Sequence, residues 1–456
     1  MKNIKQYIFR FFTTGNQRSL EAKKNIAGSF VIKGMSIFIS LWLVPLTIHY
    51  VNPTEYGIWL TMSSMVAWIS FFDIGFTNGL RNRFAEAKAK NEFHLAKAYV
   101  STAYFYLGII FISLWIILII INQFIAWDTL LNISSVSAHE VSSLALIIFT
   151  YFCFQFIFRI INTLLIADQK PALASFLGLL GQIISLIIIF ILTKFTSGSL
   201  IFLGLALGVA PTLVIILANV YFFKTKYRDF SPSIQFVQKK YAKDIMGIGL
   251  KFFVLQIASI VQYQTILFLI AHYFNPLQVT SYNIAYKYFG VLQMGFMILL
   301  GPIWSSTTDA YNSGDVEWII NVVKKYLLIL IPIILTGAIM LAFAEPIYNL
   351  WLGKNVVIIP YNISLLCYIY FATQMFGGIF VQVLNGIGAL QIQFYSSFLT
   401  SVGFLTLSLI LIKVFHLGIE SILISSILSN VFGYIIAPIQ YYNIFIRKSK
   451  LKIWYA

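Results

Sequence analysis

The sequence predicts an all-α polytopic membrane protein: about twelve transmembrane helices in two six-helix lobes, with both termini in the cytoplasm. Three observations carry that expectation. The 456-residue chain is 59% hydrophobic and only 10% charged, with a mean hydropathy of +0.86. Its apolar residues fall into runs long enough to cross a bilayer, and its Lys and Arg residues crowd into alternate loops between those runs. Soluble domains carry about 45–50% apolar and about 25% charged residues, so soluble enzymes, secreted scaffolds and disordered chains are excluded together. The net charge of +16 would ordinarily suggest nucleic acid. On a membrane protein it reports topology instead, and no nucleic-acid partner is expected. Cys153 and Cys367 both lie in apolar runs, which predicts two buried thiols and no disulfide framework.

A span needs about 20 apolar residues. The first six runs cover 26–48, 57–80, 100–122, 143–166, 172–193 and 199–223. The second six cover 246–271, 284–307, 323–345, 358–385, 392–413 and 417–441. The expected organisation is a basic N-terminal interfacial segment (1–25), an N-lobe (26–223), a cytoplasmic linker (224–245), a C-lobe (246–441) and a basic cytoplasmic tail (442–456). Pro45, Pro211, Pro302, Pro332 and Pro438 fall within or at the ends of spans, where proline kinks a helix. Of the 31 Lys and Arg residues, the odd-to-even loops hold only Lys194, Lys354 and Lys413. Nearly all the others lie at the termini or in the opposite set of loops, which places both termini in the cytoplasm. Residues 1–25 lack the apolar core and cleavage site of a signal peptide. Their basic and aromatic mixture fits either a helix lying on the inner leaflet or a disordered basic arm.

An internal repeat supports the two lobes. His49-Tyr50-Val51-Asn52-Pro53 recurs 223 residues later as His272-Tyr273-Phe274-Asn275-Pro276, and Asn162 and Asn385 share that offset. Lys97-Ala98-Tyr99 resembles Lys324-Lys325-Tyr326 at an offset of 227. Two parallel halves, each of even span number, suit an alternating-access transporter with its substrate path between them.

A charge at mid-bilayer costs about 2.5–3.5 kcal/mol on insertion scales, so charges within spans usually face a cavity. The candidates are Lys33, Arg159, Lys251 and Lys287, with Asp73 as the internal acid. Lys33, Asp73, Arg159 and Lys251 fall roughly 8–10 Å below the inner surface at the rise of a helix. The four cations are expected to bind a diphosphate, although long basic side chains near span ends can also snorkel to the headgroups. Asp73 is too short to snorkel and is expected to pair with Lys33 or Arg159, or to titrate as a coupling group. Ser36, Ser70, Asn78 and Gln262 are the expected polar lining. The basic segments 81–97 and 224–243 read as amphipathic surfaces against anionic lipid headgroups. Trp59, Trp127, Trp304 and Trp351 lie near span ends as an interfacial belt would, whereas Trp42 and Trp68 lie deeper. His49 and His272 occupy repeat-related outer turns, where a capping role is expected.

No Walker loop, metal-ligand spacing or Ser/His/Asp arrangement is visible, so neither a cofactor nor catalysis is expected. A membrane-embedded glycan polymerase would be expected to carry a large outer loop for its catalytic groups. The longest here, 123–142, has no Lys or Arg and only Asp128 and Glu140 as acids. A drug/cation antiporter would be expected to carry more acids than cations in its spans, the reverse of what is seen.

The run Tyr56-Gly57-Ile58-Trp59, then Trp68-Ile69-Ser70-Phe71-Phe72-Asp73-Ile74-Gly75 and Asn78-Gly79-Leu80-Arg81-Asn82, resembles bacterial oligosaccharide flippases of the Wzx type. These form the polysaccharide-transporter branch of the multidrug/oligosaccharidyl-lipid/polysaccharide (MOP, MATE-like) exporters. The similarity extends through Ala85-Glu86-Ala87-Lys88 and Tyr99-Val100-Ser101-Thr102 and is specific only over about residues 55–105. The resemblance implies a V-shaped pair of lobes in the bacterial inner membrane. It further implies translocation of undecaprenyl-diphosphate-linked oligosaccharide for O-antigen, lipopolysaccharide or capsule assembly. The partners it implies are that lipid-linked oligosaccharide, membrane lipids and a polysaccharide polymerase in the same membrane. Lys33, Arg159 and Lys251 are the diphosphate candidates by position.

Overall fold

The computed structural model describes residues 17–73, 75–134, 136–301, 303–449 and 451–454. Among them there is no strand; long apolar helices follow one another, because in lipid a helix satisfies its backbone polar groups within one segment. Contacts divide the chain into two compact units. One comprises Met1–Asn52, Ile69–Asp128 and Val136–Val254, and the other Pro53–Trp68, Thr129–Ser135 and Leu255–Ala456. The unit boundaries differ from the lobes expected from sequence: Pro53–Trp68, in the first half of the chain, packs with the C-terminal unit.

The N-terminal unit contains α1 (Gln17–Tyr50), α3 (Phe76–Ala89), α4 (Phe93–Asn122), α5 (Ala138–Phe158), α6 (Ile160–Ala167) and α7 (Pro171–Phe195). It closes with a composite helix of α8 (Leu200–Gly204), a π-helical turn (Leu205–Val209) and α9 (Ala210–Lys224). Helix α2 (Pro53–Ala67) belongs to the other unit, and α10 (Lys239–Tyr273) begins in one and ends in the other. The C-terminal unit continues with α11 (Pro276–Leu300), α12 (Ile303–Asn312), α13 (Val316–Ala342), α14 (Ala344–Leu352), α15 (Tyr361–Ile387) and α16 (Gln391–Lys413). It closes with α17 (Glu420–Ser429), a second π-helical turn (Phe432–Ile436), α18 (Ala437–Tyr441), a third π-helical turn (Tyr442–Ile446) and a 3-10 turn (Lys452–Trp454).

Among the described residues, nine helical stretches are long and apolar enough to cross a membrane. They correspond to nine of the twelve runs read from the sequence. The run 57–80 is interrupted by a 3-10 turn at Trp68–Asp73, and 284–307 spans the break between α11 and α12. The run 246–271 lies within α10, where side chains of residues 247–263 are outside the description.

The repeat is visible in the helices. Pro53 and Pro276 each open a helix, the position where proline's missing N–H costs nothing. The Asn275 side chain accepts the Gln278 N–H at 2.9 Å and caps α11. Helices α5 and α15 begin 223 residues apart, at Ala138 and Tyr361. Asn162 and Asn385, at the same offset, each leave a buried Oδ1 without a hydrogen-bond donor. The first two π-helical turns each run directly into an Ala-Pro pair, Ala210-Pro211 and Ala437-Pro438, 227 residues apart. A proline there removes one backbone donor, and a widened turn is one way for the helix to absorb it.

Several expected surface residues are structural. Trp59 and Trp127 are buried rather than facing lipid. The Trp127 indole donates to Asn122 Oδ1 at 2.7 Å, and the Asn122 amide donates to Ser142 Oγ at 2.8 Å, joining the end of α4 to the first turns of α5. The His272 ring donates to the Leu130 carbonyl at 2.8 Å, tying a loop down instead of capping a helix. Both cysteines are free and buried, as their apolar surroundings predict.

Candidate functional site

Asp73 ends the 3-10 turn, and Gly75 follows in the left-handed region at φ +76°. Gly75 occupies the N-cap of α3 but has no side chain to cap it. The Asp73 carboxylate does so from two residues upstream, accepting the Thr77 N–H at 3.1 Å and the Thr77 hydroxyl at 2.7 Å. It is 4% exposed. A negative charge at a helix N-terminus also meets the positive end of the helix dipole. The expected ion pair with Lys33 or Arg159 is therefore replaced by a helix cap. Arg159 lies exposed in the turn between α5 and α6, near enough for its charge to act on Asp73 without forming a salt bridge.

Lys33 lies on the exposed side of α1 beside Val31 and Met35. Ser36, half-buried three residues further on, donates to Gln182 Oε1 at 2.5 Å, clasping α1 to α7 rather than lining open space. Asn78 is half-buried on α3. The side chains of Ser70, Lys251 and Gln262 lie outside the described residues. Lys287 belongs to the C-terminal unit, half-buried on α11, and donates to the Tyr56 hydroxyl of α2 at 3.4 Å. The neighbouring Gly57 is required by packing: a Cβ there would lie 1.8 Å from the Pro276 carbonyl oxygen. Gly79 has the same role in the N-terminal unit, where a Cβ would lie 2.1 Å from the Ile245 carbonyl oxygen.

The basic segments 81–97 and 224–243 are not simply headgroup-facing surfaces. Asp168, between α6 and α7, receives Lys88, Lys226, the Tyr227 hydroxyl at 2.9 Å and, more distantly, Lys170 at 3.7 Å. Burial and the adjacent Asp168 carboxylate push the Tyr227 phenol far up, so it remains a donor. Asp244 receives Arg83 and the Tyr99 hydroxyl, fastening the start of α10 to α3 and α4. Hydrogen bonds from Lys90 and Arg83 hold the Glu86 carboxyl below its ordinary range. Neither acid lies within the basic stretch that it fastens, so the sequence carried no local signal for these anchors.

The C-terminal unit holds a cavity of about 280 Å³ between α11, α15, α16 and the second π-helical turn. Four glutamines line it (Gln293, Gln374, Gln382 and Gln393), together with Asn430 and hydroxyls from α15 and α16. No charged side chain is among its lining residues. The sequence reading missed this site; glutamines inside apolar spans were the available signal, because an unpaired amide in lipid is costly.

No protein-family model and no curated relative matches the chain. Solved structures do. An inward-facing multidrug resistance MATE family transporter of the MOP superfamily aligns with a TM-score of 0.69 at 13% identity, over 91% of this chain and 96% of that one. The fold is MATE-like, with two lobes. A MATE protein in complex with MaL6 aligns at TM-score 0.59 and 14% identity, over 96% of this chain and 100% of the other. A MOP superfamily transporter from Pyrococcus furiosus aligns at TM-score 0.58 and 16% identity, over 93% and 96% of the two chains. Its binding pocket is described as having reversed polarity that suggests a different function. At such identities the likeness concerns the fold; substrate must be argued from side chains.

Proposed function

We propose that the chain is a flippase for undecaprenyl-diphosphate-linked oligosaccharide, serving O-antigen or capsular polysaccharide assembly in the bacterial inner membrane. The observation that carries this reading is the balance of charge within the spans. Lys33, Arg159 and Lys287 are cationic and form no salt bridge among the described residues, whereas Asp73 is occupied as a helix cap. A cationic site attracts a diphosphate through charge-assisted hydrogen bonds and repels a cationic drug. The MATE-like fold is compatible with a drug antiporter as well, so the choice rests on those side chains. In this reading Lys33, Arg159, Lys251 and Lys287 bind the diphosphate while the polyprenyl tail stays in lipid. Asp73 is the coupling group: protonation weakens its hold on the Thr77 N–H and its attraction to Arg159, bearing directly on the start of α3.

The test is leaflet exchange of fluorescent lipid-linked oligosaccharide in proteoliposomes, run beside efflux of a cationic dye. The expected result is protein-dependent lipid exchange without dye transport. Dye efflux without lipid exchange would instead support the antiporter and end this proposal.

A further inference from the structure

We infer that the cavity in the C-terminal unit is a subsite for one uncharged sugar ring; the inference rests on the proposed function, whose substrate carries such rings. Its chemistry is complementary to hydroxyl groups. Gln374 Nε2 is a buried donor and Gln393 Oε1 a buried acceptor, and neither has a hydrogen-bond partner. Buried polar groups are nearly always paired, so the site is built for an occupant that both donates and accepts. Thr373 and Ser397 donate their hydroxyl protons to the Tyr370 and Phe394 carbonyls at 2.8 Å each, which leaves oxygen lone pairs as further acceptors. A hydroxyl offers both roles in one group.

Other occupants fit less well. No charged residue lines the cavity to compensate a phosphate or an ammonium, and an acyl chain would leave the amides unpaired. The volume of about 280 Å³ falls just below the range of about 300–1,000 Å³ for drug-sized ligands, which limits the occupant to about one ring. The second π-helical turn contributes Phe432 and Gly433 to the wall, and such widened turns recur at functional sites. The repeat adds an independent argument. At the offset of 223, Gln382 in the second half takes the place of Arg159 in the first, on helices that share the Asn162/Asn385 pair. One copy of this helix kept a charge suited to phosphate, and the other carries a neutral amide suited to a sugar.

The experiment compares two probes on purified full-length protein in nanodiscs: undecaprenyl diphosphate, and the lipid-linked oligosaccharide extracted from the source cells. Wild-type protein is expected to bind the glycosylated probe more tightly. Gln374→Leu and Gln393→Leu should each weaken that probe about tenfold while leaving the sugarless probe unchanged, as expected for a lost buried hydrogen bond. Equal wild-type affinity for both probes would overturn the inference but leave the flippase reading standing. Retained preference in both variants would also overturn it, showing that the cavity holds water alone. Equal loss of both probes in the variants would show a purely structural role for the amides. Binding of neither probe by wild-type protein would remove the proposed function, and this inference with it. As a second measurement, Ser397→Cys should be shielded from maleimide by the glycosylated probe and not by the sugarless one. Labelling unaffected by either probe counts against the subsite.

Discussion

Asp73 carries two claims that one pair of substitutions separates. Asp73→Ala removes both acceptors facing Thr77, at 3.1 Å and 2.7 Å, from a side chain that is 4% exposed. Loss of a capping side chain costs about 0.5–2 kcal/mol, and loss of its favourable charge at the helix N-terminus about 0.3–1 kcal/mol more. The expected destabilisation is therefore about 1–3 kcal/mol. Asp73→Asn keeps an oxygen in the same place and removes only the charge, so it should cost less than about 1 kcal/mol. Unfolding in detergent, followed by tryptophan fluorescence, measures the difference. If Asn is as damaging as Ala, the cap is not what Asp73 contributes and its charge toward Arg159 matters more. Function is read separately, as lipid exchange in proteoliposomes with and without an imposed pH gradient. Asp73→Asn should remain folded and lose its response to the gradient. A variant that keeps the wild-type response refutes the coupling role while leaving the cap intact.

Other consequences of the packing can be checked in the same assays. Gly57→Ala and Gly79→Ala drive a Cβ to within 1.8 Å and 2.1 Å of backbone carbonyl oxygens, so each should lose at least about 1–3 kcal/mol of stability or fail to accumulate. Gly108→Ala is the control: nothing lies within 4 Å of its added Cβ, and a helical Gly→Ala change should gain about 0.5–1 kcal/mol. Asp168→Ala removes the carboxylate shared by Lys88, Lys170, Lys226 and Tyr227, together with every acceptor in its place. Because the lysines are about a third or more exposed, most of the expected loss of about 2–4 kcal/mol comes from the Tyr227 hydrogen bond. The remainder is repulsion among the lysines, so adding salt should narrow the gap in unfolding temperature between variant and wild type.

The architecture was legible because lipid enforces it. Runs of about 20 apolar residues and the repeated His-Tyr-x-Asn-Pro turn are local in sequence and point to helices and to duplication. What was not legible depends on which residue lies opposite. Gly57 and Gly79 read as parts of a family motif, yet their reason is a carbonyl oxygen on a helix distant in sequence. Asp73 was read as an acid seeking a cation, but its nearest donors lie four residues away, because Gly75 cannot cap α3 itself. Lys88, Lys226 and Arg83 looked like headgroup contacts because nothing in the sequence pairs them with Asp168 or Asp244. The glutamine-lined cavity escaped notice for a related reason: its amides come from three helices, and no single helical stripe displays them.

Arg159 offers the sharpest test of a charged site, because its side chain is exposed and its structural bonds are backbone bonds. Its N–H donates to the Gln155 carbonyl at 2.8 Å, and its carbonyl accepts the Asn162 N–H at 2.9 Å, interactions any residue retains. Arg159→Gln converts the position to the residue that the second half carries at 382. The fold should be unaffected, with unfolding within about 0.5 kcal/mol of wild type, as for most exposed substitutions. Affinity for undecaprenyl diphosphate should fall by at least the value of a charge-assisted hydrogen bond, about 1.5–3 kcal/mol or roughly tenfold to a hundredfold. Arg159→Lys keeps the charge without the planar fork and should recover only part of the affinity. If Arg159→Gln binds the sugarless lipid as tightly as wild type, Arg159 does not hold the diphosphate. The charge balance that favours an anionic substrate would then rest on Lys33 and Lys287 alone among the described cations.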